Sequence, residues 1–473
     1  MFLKFVNRAG ELEHLNKAYS GQGFKFIVIY GRRRVGKTEL IKHFIKDKKA
    51  IYFLCDKSGT ANNIARLKKK VAEHLGEPVI ETNDIEEIFS YLARKSGPGT
   101  VLVFDEFSYL IEKDDSIPSM FQLVVDEALC GTDMMLILCG SSMSMMVEGV
   151  LAHKSPLYGR KTGHMQLFPL QFMDMAEFFP SNSMEENVRV YSVLGGIPFY
   201  LSKFSEGVDT LENVRAQILD KDGALYEETD FFLREELREP DVYKIIIAAV
   251  ASGATRVTEI ADKCGMSPHD LDRYLKTLIR LGIIKKECPI TEKKSKRTIY
   301  VIDDNFFAFW FRFCEPSKAD LEIGNTMAVE AALKKDFNAY VGKGFEKIVR
   351  EELLRKLFPG RFTDIGRWWG HYREGGRREE VEIDVVGLNM DKKEAAFIEC
   401  KWKELSRGEA RKVLDGLKRK ASYVEWQNES RREAYGVFGR KVDGKEELRK
   451  DGFMAFDLED LKLLGRCSLG TCS

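Results

Sequence analysis

"IVIYGRRRVGKTEL", residues 27–40, decides the first part of the fold. An apolar run ends at Gly31, four residues intervene, and Gly36-Lys37-Thr38 open a helix. A Gly-x-x-x-x-Gly-Lys-Thr pattern placed between a strand and a helix is the setting in which a P-loop reading is specific. The glycines let backbone N–H groups curl around phosphates, and the helix N-terminus adds the positive end of its dipole. Lys37 is then expected to reach the β- and γ-phosphates of ATP, and the Thr38 hydroxyl to hold Mg²⁺.

Short apolar runs continue on either side of this loop, at 24–30, 50–55, 100–105, 134–139 and 164–168, with helical stretches between them. Near-continuous apolar strands are buried on both faces, so the pattern predicts an α/β, doubly wound parallel sheet. "TVLVFDEF" (100–107) ends one of these strands in acid. Asp105 suits the Mg²⁺ shell, and Glu106 is placed to activate the attacking water. "LILCGSS" (136–142) ends the next strand in hydroxyls; Ser141 or Ser142 either senses the γ-phosphate or caps a helix. Arg160, before the last strand, is a candidate for stabilising the transferring phosphoryl group, in cis or from a neighbouring copy in a homo-oligomer.

The chain has 473 residues, enough for about three domains of roughly 150 each. Lys+Arg and Asp+Glu balance at 74 each, so overall charge selects no partner. Nine scattered cysteines without a CxxC pair suit free thiols in a reducing compartment and give no zinc pattern. The start lacks an apolar signal region, and no apolar run approaches the roughly 18 residues that span a bilayer. The expectation is a cytoplasmic protein with no membrane partner.

Together, "FVNRAGELEHL" (5–15), "YGRRRVGKTEL" (30–40), "VFDEF" (103–107), "PLYGR" (156–160) and "LGGIPFYL" (194–201) resemble the archaeal-type P-loop ATPases, relatives of AAA+ and STAND proteins. The resemblance covers roughly residues 1–238. It implies that Asn7 and Arg8 lie near the adenine, and that the Gly196-Ile197-Pro198 turn of a helical lid also faces the base.

Residues 170–238 read as helical and 241–301 as three helices followed by a basic hairpin, a pattern that resembles a winged helix. Ser267 is the expected N-cap and Pro268 the first residue of the third helix. Leu271, Leu275, Leu278 and Ile279 form its inward stripe, leaving His269, Asp272, Arg273, Lys276 and Arg280 outward. The hairpin adds Lys285, Lys286, Lys293, Lys294, Lys296 and Arg297. Helix and hairpin together are suited to a DNA partner, the helix in a groove and the hairpin on phosphates.

Downstream, "VEIDVVGL" (381–388) and "AAFIECKW" (395–402) read as paired strands around the turn "NMDKKE". Residues two apart share a strand face, so Glu399 and Lys401 point together while Cys400 points into the core. Asp384 and Glu399 are expected to hold Mg²⁺ or Mn²⁺, with Glu346 on the preceding helix reaching the same metal and Lys401 positioning the nucleophile or stabilising charge. The order of these elements resembles the restriction-endonuclease-like PD-(D/E)xK superfamily, with Ile383 where proline is frequent. The resulting division is an ATPase core at 1–168, a lid at 169–238, a winged helix at 239–315, a linker at 316–335 and a restriction-endonuclease-like α/β domain at 336–473. The functional expectation is an ATPase that binds DNA and carries a metal-dependent nuclease-like domain, suited to genome defence or mobile-element processing. The alternative is a STAND-type nucleotide-dependent switch in which the nuclease-like domain is catalytically dead.

Overall fold

The apolar runs of the first third become five strands: β1 (Lys25–Tyr30), β2 (Ala50–Leu54), β3 (Val101–Asp105), β4 (Met135–Gly140) and β5 (Gly163–Gln166). All pair in parallel in the order β2-β3-β4-β1-β5. Period-two alternation splits each inner strand between two cores. Phe26, Val28, Leu102, Phe104, Leu136 and Leu138 pack on one face of the sheet. Ile27, Ile29, Val101, Val103, Met135 and Ile137 pack on the other. That double burial explains why these strands read as unbroken apolar runs. Helix α1 (Lys37–Ile45) follows β1 and buries Leu40, Ile41 and Phe44.

The computed structural model describes residues 5–292, 295, 297–374 and 377–468. It divides into two compact units, one of residues 1–170 with 197–199, the other of 171–196 with 200–473. The segments expected as winged helix and C-terminal domain thus share one unit with most of the expected lid, whose residues 197–199 belong to the first. Within it the Tyr340 hydroxyl donates to the carbonyls of Ser192 and Asn305, each at 3.1 Å. Arg440 pairs with Glu185 at 3.1 Å, another tie between segments far apart in sequence.

In this second unit three helices, α2 (Pro240–Ala251), α3 (Val257–Cys264) and α4 (Pro268–Arg280), precede an antiparallel pair, β6 (Ile284–Glu287) and β7 (Ile299–Ile302). Ser267 caps α4 by accepting from Asp270 N at 3.1 Å. The inward stripe is Leu271, Tyr274, Leu275 and Leu278, whereas Ile279, expected inside, is exposed. Tyr274 takes the inward place because it stacks edge-on against Tyr243 of α2, with ring centroids 5.0 Å apart.

The expected linker at 316–335 is largely helical. A short helix spans Lys318–Glu322, and α5 starts at Met327 and runs to Ile348. Val329, Leu333, Phe337, Val341 and Phe345 make one buried stripe along α5. Exposed Ile323 and Met327 blur the apolar period at its start.

A mixed five-stranded sheet follows, in the order β12-β11-β10-β9-β8. Its strands are β8 (Asp364–Glu374), β9 (Arg377–Asn389), β10 (Glu394–Leu405), β11 (Arg432–Val442) and β12 (Met454–Phe456). The first strand escapes a sequence reading because its register shifts between Gly366 and Trp368, which breaks the alternation. Helix α6 (Arg407–Ala421) packs on the sheet through Ala410, Leu414, Leu417 and Ala421.

The start of α6 is a reciprocal cap. Ser406 Oγ accepts from Glu409 N at 3.3 Å, and Glu409 Oε2 accepts from Ser406 N at 3.0 Å. The Ser406 amide, Lys403 and the Ser406 hydroxyl hold the Glu409 carboxyl down to about 2. A depressed carboxylate stabilises the fold above its unfolded value and loses that contribution as the pH falls through the folded one. Glu409→Gln should therefore lower the melting temperature at pH 7, with the gap to wild type closing as the pH approaches 2. A gap that stays constant across melting scans from pH 7 to pH 2 would refute the charged cap.

Candidate nucleotide and phosphodiester sites

In the first unit the P-loop runs from the end of β1 into α1. Gly31 is fixed by space: a Cβ there would lie 2.4 Å from the Leu167 carbonyl oxygen. Gly36 is fixed by conformation, with φ +95°, which costs a side-chain-bearing residue heavily. Gly31→Ala should displace the loop and cost several kcal/mol in stability or in ATP binding, since the obstacle is backbone. Calorimetric melting and titration with ATP would show either loss, and an unperturbed variant would count against this packing.

Lys37 is buried and its ammonium donates to the carbonyls of Gly31 (2.9 Å) and Arg32 (3.0 Å), so it lies folded across the loop that phosphates would fill. Thr38 Oγ1 donates to Asp105 Oδ2 at 2.7 Å, bringing the two expected Mg²⁺ partners together. Tyr52, on β2 beside β3, donates to the same oxygen at 2.6 Å. Burial and then Asp105 push the Tyr52 phenol up, so it stays a donor and orients the carboxylate. Sequence alone offered no sign of Tyr52, because only the β2–β3 pairing brings it to Asp105.

Glu106 has φ +54°, a left-handed turn straight after β3. Phe107 N then donates to Cys139 O at 2.8 Å, which ties the chain to β4. The turn aims Glu106 at the end of β4, where Ser141 donates to it through Oγ (2.6 Å) and N (3.3 Å). Ser141 and the candidate base are therefore one unit.

The base-side expectations divide. Pro198 lies over the loop, 3.8 Å from a Cβ built on Gly36, and the Arg34 guanidinium stacks 4.2 Å from the centre of the Phe199 ring. Arg8 is buried, and its guanidinium donates to the carbonyls of Val35 (3.1 Å) and Phe168 (2.7 Å) and to Glu11 (2.8 Å). It braces the P-loop against the strand β5 exit. Asn7 is exposed in a left-handed conformation. Arg160 makes a two-pronged pair with Asp126 at 2.7 Å and donates to Pro156 O. Its first partner is thus a carboxylate of its own chain.

The second cluster forms inside the other unit where β9 and β10 diverge. Their antiparallel ladder closes with Ile398 opposite Val385, and next along come Glu399 and Asp384. Cys400 N donates to Asp384 Oδ2 at 2.9 Å. Lys401 Nζ lies 2.7 Å from Glu399 and 3.8 Å from Asp384. Burial, then Glu399 and Glu346, push the Asp384 carboxyl up to about 7. Burial raises Glu399 too, but Lys401 and Lys420 outweigh it and the net shift is downward. Lys420, near the end of α6, donates to Glu399 Oε1 at 2.6 Å and to Glu382 O at 3.0 Å. It was invisible in the sequence, separated from Lys401 by a loop and a helix.

The expected three-carboxylate metal set is not assembled. Among the described residues no three His, Cys, Asp or Glu side chains gather as metal ligands. Glu346 pairs with Lys343 at 2.9 Å, and both Glu399 oxygens carry lysines. Hard carboxylate oxygens suit Mg²⁺ or Mn²⁺ in kind; here ammonium groups occupy part of that role.

The cations expected on a winged helix also divide. His269, Asp272, Arg273, Lys276 and Arg280 of α4 are exposed, with Lys276 paired to Asp272 at 2.6 Å. Lys285 is engaged by Glu351 (2.6 Å) and Asp303 (2.9 Å), and Arg297 donates to Trp369 O at 2.7 Å. Lys293, Lys294 and Lys296 lie outside the described residues. No described helix is long and apolar enough to cross a membrane.

Comparison with known proteins matches residues 5–204 to an ATPase domain predominantly from Archaea and residues 310–413 to a domain of archaeal and bacterial proteins of unknown function. An uncharacterized protein of Methanocaldococcus jannaschii is 39% identical over 463 residues, 96% of this chain and 99% of that protein. An uncharacterized ATP-binding protein of the same organism is 53% identical over 45 residues, 10% of this chain and 76% of that protein. A Walker-type ATPase of Pyrococcus abyssi shares the fold with a TM-score of 0.50 at 20% identity, covering 65% of this chain and 96% of that one. With its P-loop, Asp105 and Glu106 in place, the chain belongs to this predominantly archaeal family of P-loop ATPases.

Proposed function

We propose that the protein couples ATP hydrolysis in its first unit to phosphodiester cleavage of DNA in its second. The observation that carries this reading is the convergence of buried Asp384 and Glu399 with Lys401 where two strands diverge, in a chain that also holds a complete P-loop. In the first unit Lys37 would exchange its carbonyls for the phosphates of ATP, and Thr38 and Asp105 would hold Mg²⁺, which would supply charge opposite to that of the transferring phosphoryl group. Glu106, released from Ser141, orients and deprotonates the attacking water.

In the second unit Asp384 and Glu399 would hold Mg²⁺ or Mn²⁺, with Glu346 close enough to raise Asp384. That ion would supply charge to a scissile phosphate and acidify water. Lys401 is placed to steady the developing negative charge, while Lys420 keeps Glu399 ionised and fixed. The exposed face of α4, with Arg273, Lys276 and Arg280, is the part suited to DNA phosphates.

The test is a cleavage time course on labelled single- and double-stranded DNA with Mg²⁺ or Mn²⁺, with and without ATP, beside Lys401→Ala. Cutting that depends on Lys401 supports the reading, and stimulation by ATP supports the coupling. A second reading, a nucleotide-dependent switch with an inert nuclease-like domain, draws on the lysines that occupy both Glu399 oxygens. No cutting in wild type, together with nucleotide-dependent self-association, would favour it.

A further inference from the structure

A second basic feature of the second unit lies outside the carboxylate cluster. Within the second unit, β6, the helical turn Val349–Leu353 with Arg355 after it, and the start of β8 enclose a cleft of about 620 Å³. Backbone ties two of the segments that line it. Ile290 N, just past β6, donates to Arg367 O at 3.1 Å, and a Cβ on Gly366 would lie 3.2 Å from Ile290.

Its walls carry more positive than negative charge. Lys285, Lys286, Arg350, Arg355 and Arg367 line it against Glu287 and Glu351. One carboxylate, Glu287, is shared by Arg367 (2.7 Å), Lys285 (3.3 Å) and Arg350 (3.9 Å). Among the described residues Lys286 and Arg355 make no ion pair, and both are exposed at the rim. A further anion would therefore meet two uncommitted cations and a guanidinium, Arg350, that is only loosely paired. Cys288, Ile290 and Ile365 give the same cleft an apolar side.

The size lies within the range of small-molecule sites and well beyond a single phosphate. Cations on one side and an apolar wall on the other suit a ligand that joins a phosphate to a flat, weakly polar body. We propose that this cleft binds a phosphoester of nucleotide size, distinct from the ATP of the P-loop. Such a ligand would touch β6 and β8 at once and clasp the hairpin to the C-terminal sheet. Arg367 of β8 also pairs with Glu382 at 3.3 Å, two residues before Asp384 on β9, so the cleft and the carboxylate cluster are joined across neighbouring strands. The proposal does not depend on DNA being cleaved.

The test uses the full chain carrying Lys37→Ala, which removes phosphate binding at the P-loop. Calorimetric titrations with the dinucleotide pTpT and with a 20-mer DNA are compared before and after Lys286→Glu/Arg355→Glu. One pTpT per chain is expected, weakened at least about tenfold by the double charge reversal because like charges would then face the phosphates. Lys286→Gln/Arg355→Gln should fall between. ATP hydrolysis by the double variants with Lys37 restored should match wild type, showing an intact first unit, and their calorimetric melting should match it too, showing that the second still folds. Absence of pTpT binding, or binding indifferent to both double variants, overturns the proposal. So does loss of 20-mer affinity alone, which would make the cleft a track for a nucleic-acid backbone.

Discussion

Glu106→Gln binds ATP and fails to hydrolyse it: a loss of about 10²–10³-fold in kcat is expected, with ATP affinity within about threefold of wild type. The substitution is nearly isosteric, and its amide oxygen can still accept from Ser141 Oγ, as the carboxylate does at 2.6 Å. Only the charge and the basicity disappear. Lys37→Ala should behave differently and lose binding as well, because that ammonium is the group expected on the phosphates. Phosphate release and titration with a fluorescent ATP analogue separate the two. If Glu106→Gln keeps near-normal turnover, the water is activated elsewhere and the left-handed turn at Glu106 has another purpose. Ser141→Ala refines the point. If Ser141 only holds Glu106 while the site is empty, turnover is kept or rises; if it also contacts the γ-phosphate, turnover falls.

The second large effect concerns Asp384→Asn, which, on the proposed function, should abolish DNA cutting while making the chain harder to melt. The side chain is buried, and the Cys400 amide that donates to it at 2.9 Å can donate equally to an asparagine oxygen. The carboxyl is raised from 3.8 to about 7, so the folded state holds its proton more tightly than the unfolded one. The stability contributed by this proton is complete below about pH 4 and is lost as the pH rises through about 7. Asparagine removes that loss. Without divalent metal, the variant should therefore melt above wild type at pH 8 and alongside it near pH 4. Cleavage should fall at least about 10²-fold, the scale of several kcal/mol of transition-state stabilisation. A variant that cuts normally, or that melts below wild type at pH 8, would remove Asp384 from the centre of the site. On the proposed function, this opposition would be a functional group held at the expense of stability.

What could be read from the sequence was local. Gly31 to Thr38 lie within one turn of chain, and Asp105-Glu106 are adjacent, so neither needed a tertiary partner to be seen. Glu399 and Lys401 were visible through strand alternation, and their link to Asp384 through one short turn. The rest depended on distant chain. Tyr52 meets Asp105 only because β2 pairs with β3, and Lys420 meets Glu399 only because α6 folds back over β10. Charge misled where it was spent internally: Lys285 and Arg297 count as hairpin cations in the sequence, yet each is bound to its own chain. The start of α5 was hidden by Met327, an apolar residue on the solvent side.

One detail of the chain's division limits how such a protein can be taken apart. Three residues, Ile197–Phe199, belong with the first 170 while their neighbours on both sides belong to the other unit. The two units are therefore stitched by three crossings of the main chain, and no single cut can separate them. A fragment ending at residue 170 would lack Pro198 and Phe199, the side chains that lie over Gly36 and Arg34. The same holds over evolutionary time: one recombination breakpoint cannot exchange the first unit for another, because three of its residues are encoded in the middle of its neighbour's gene segment.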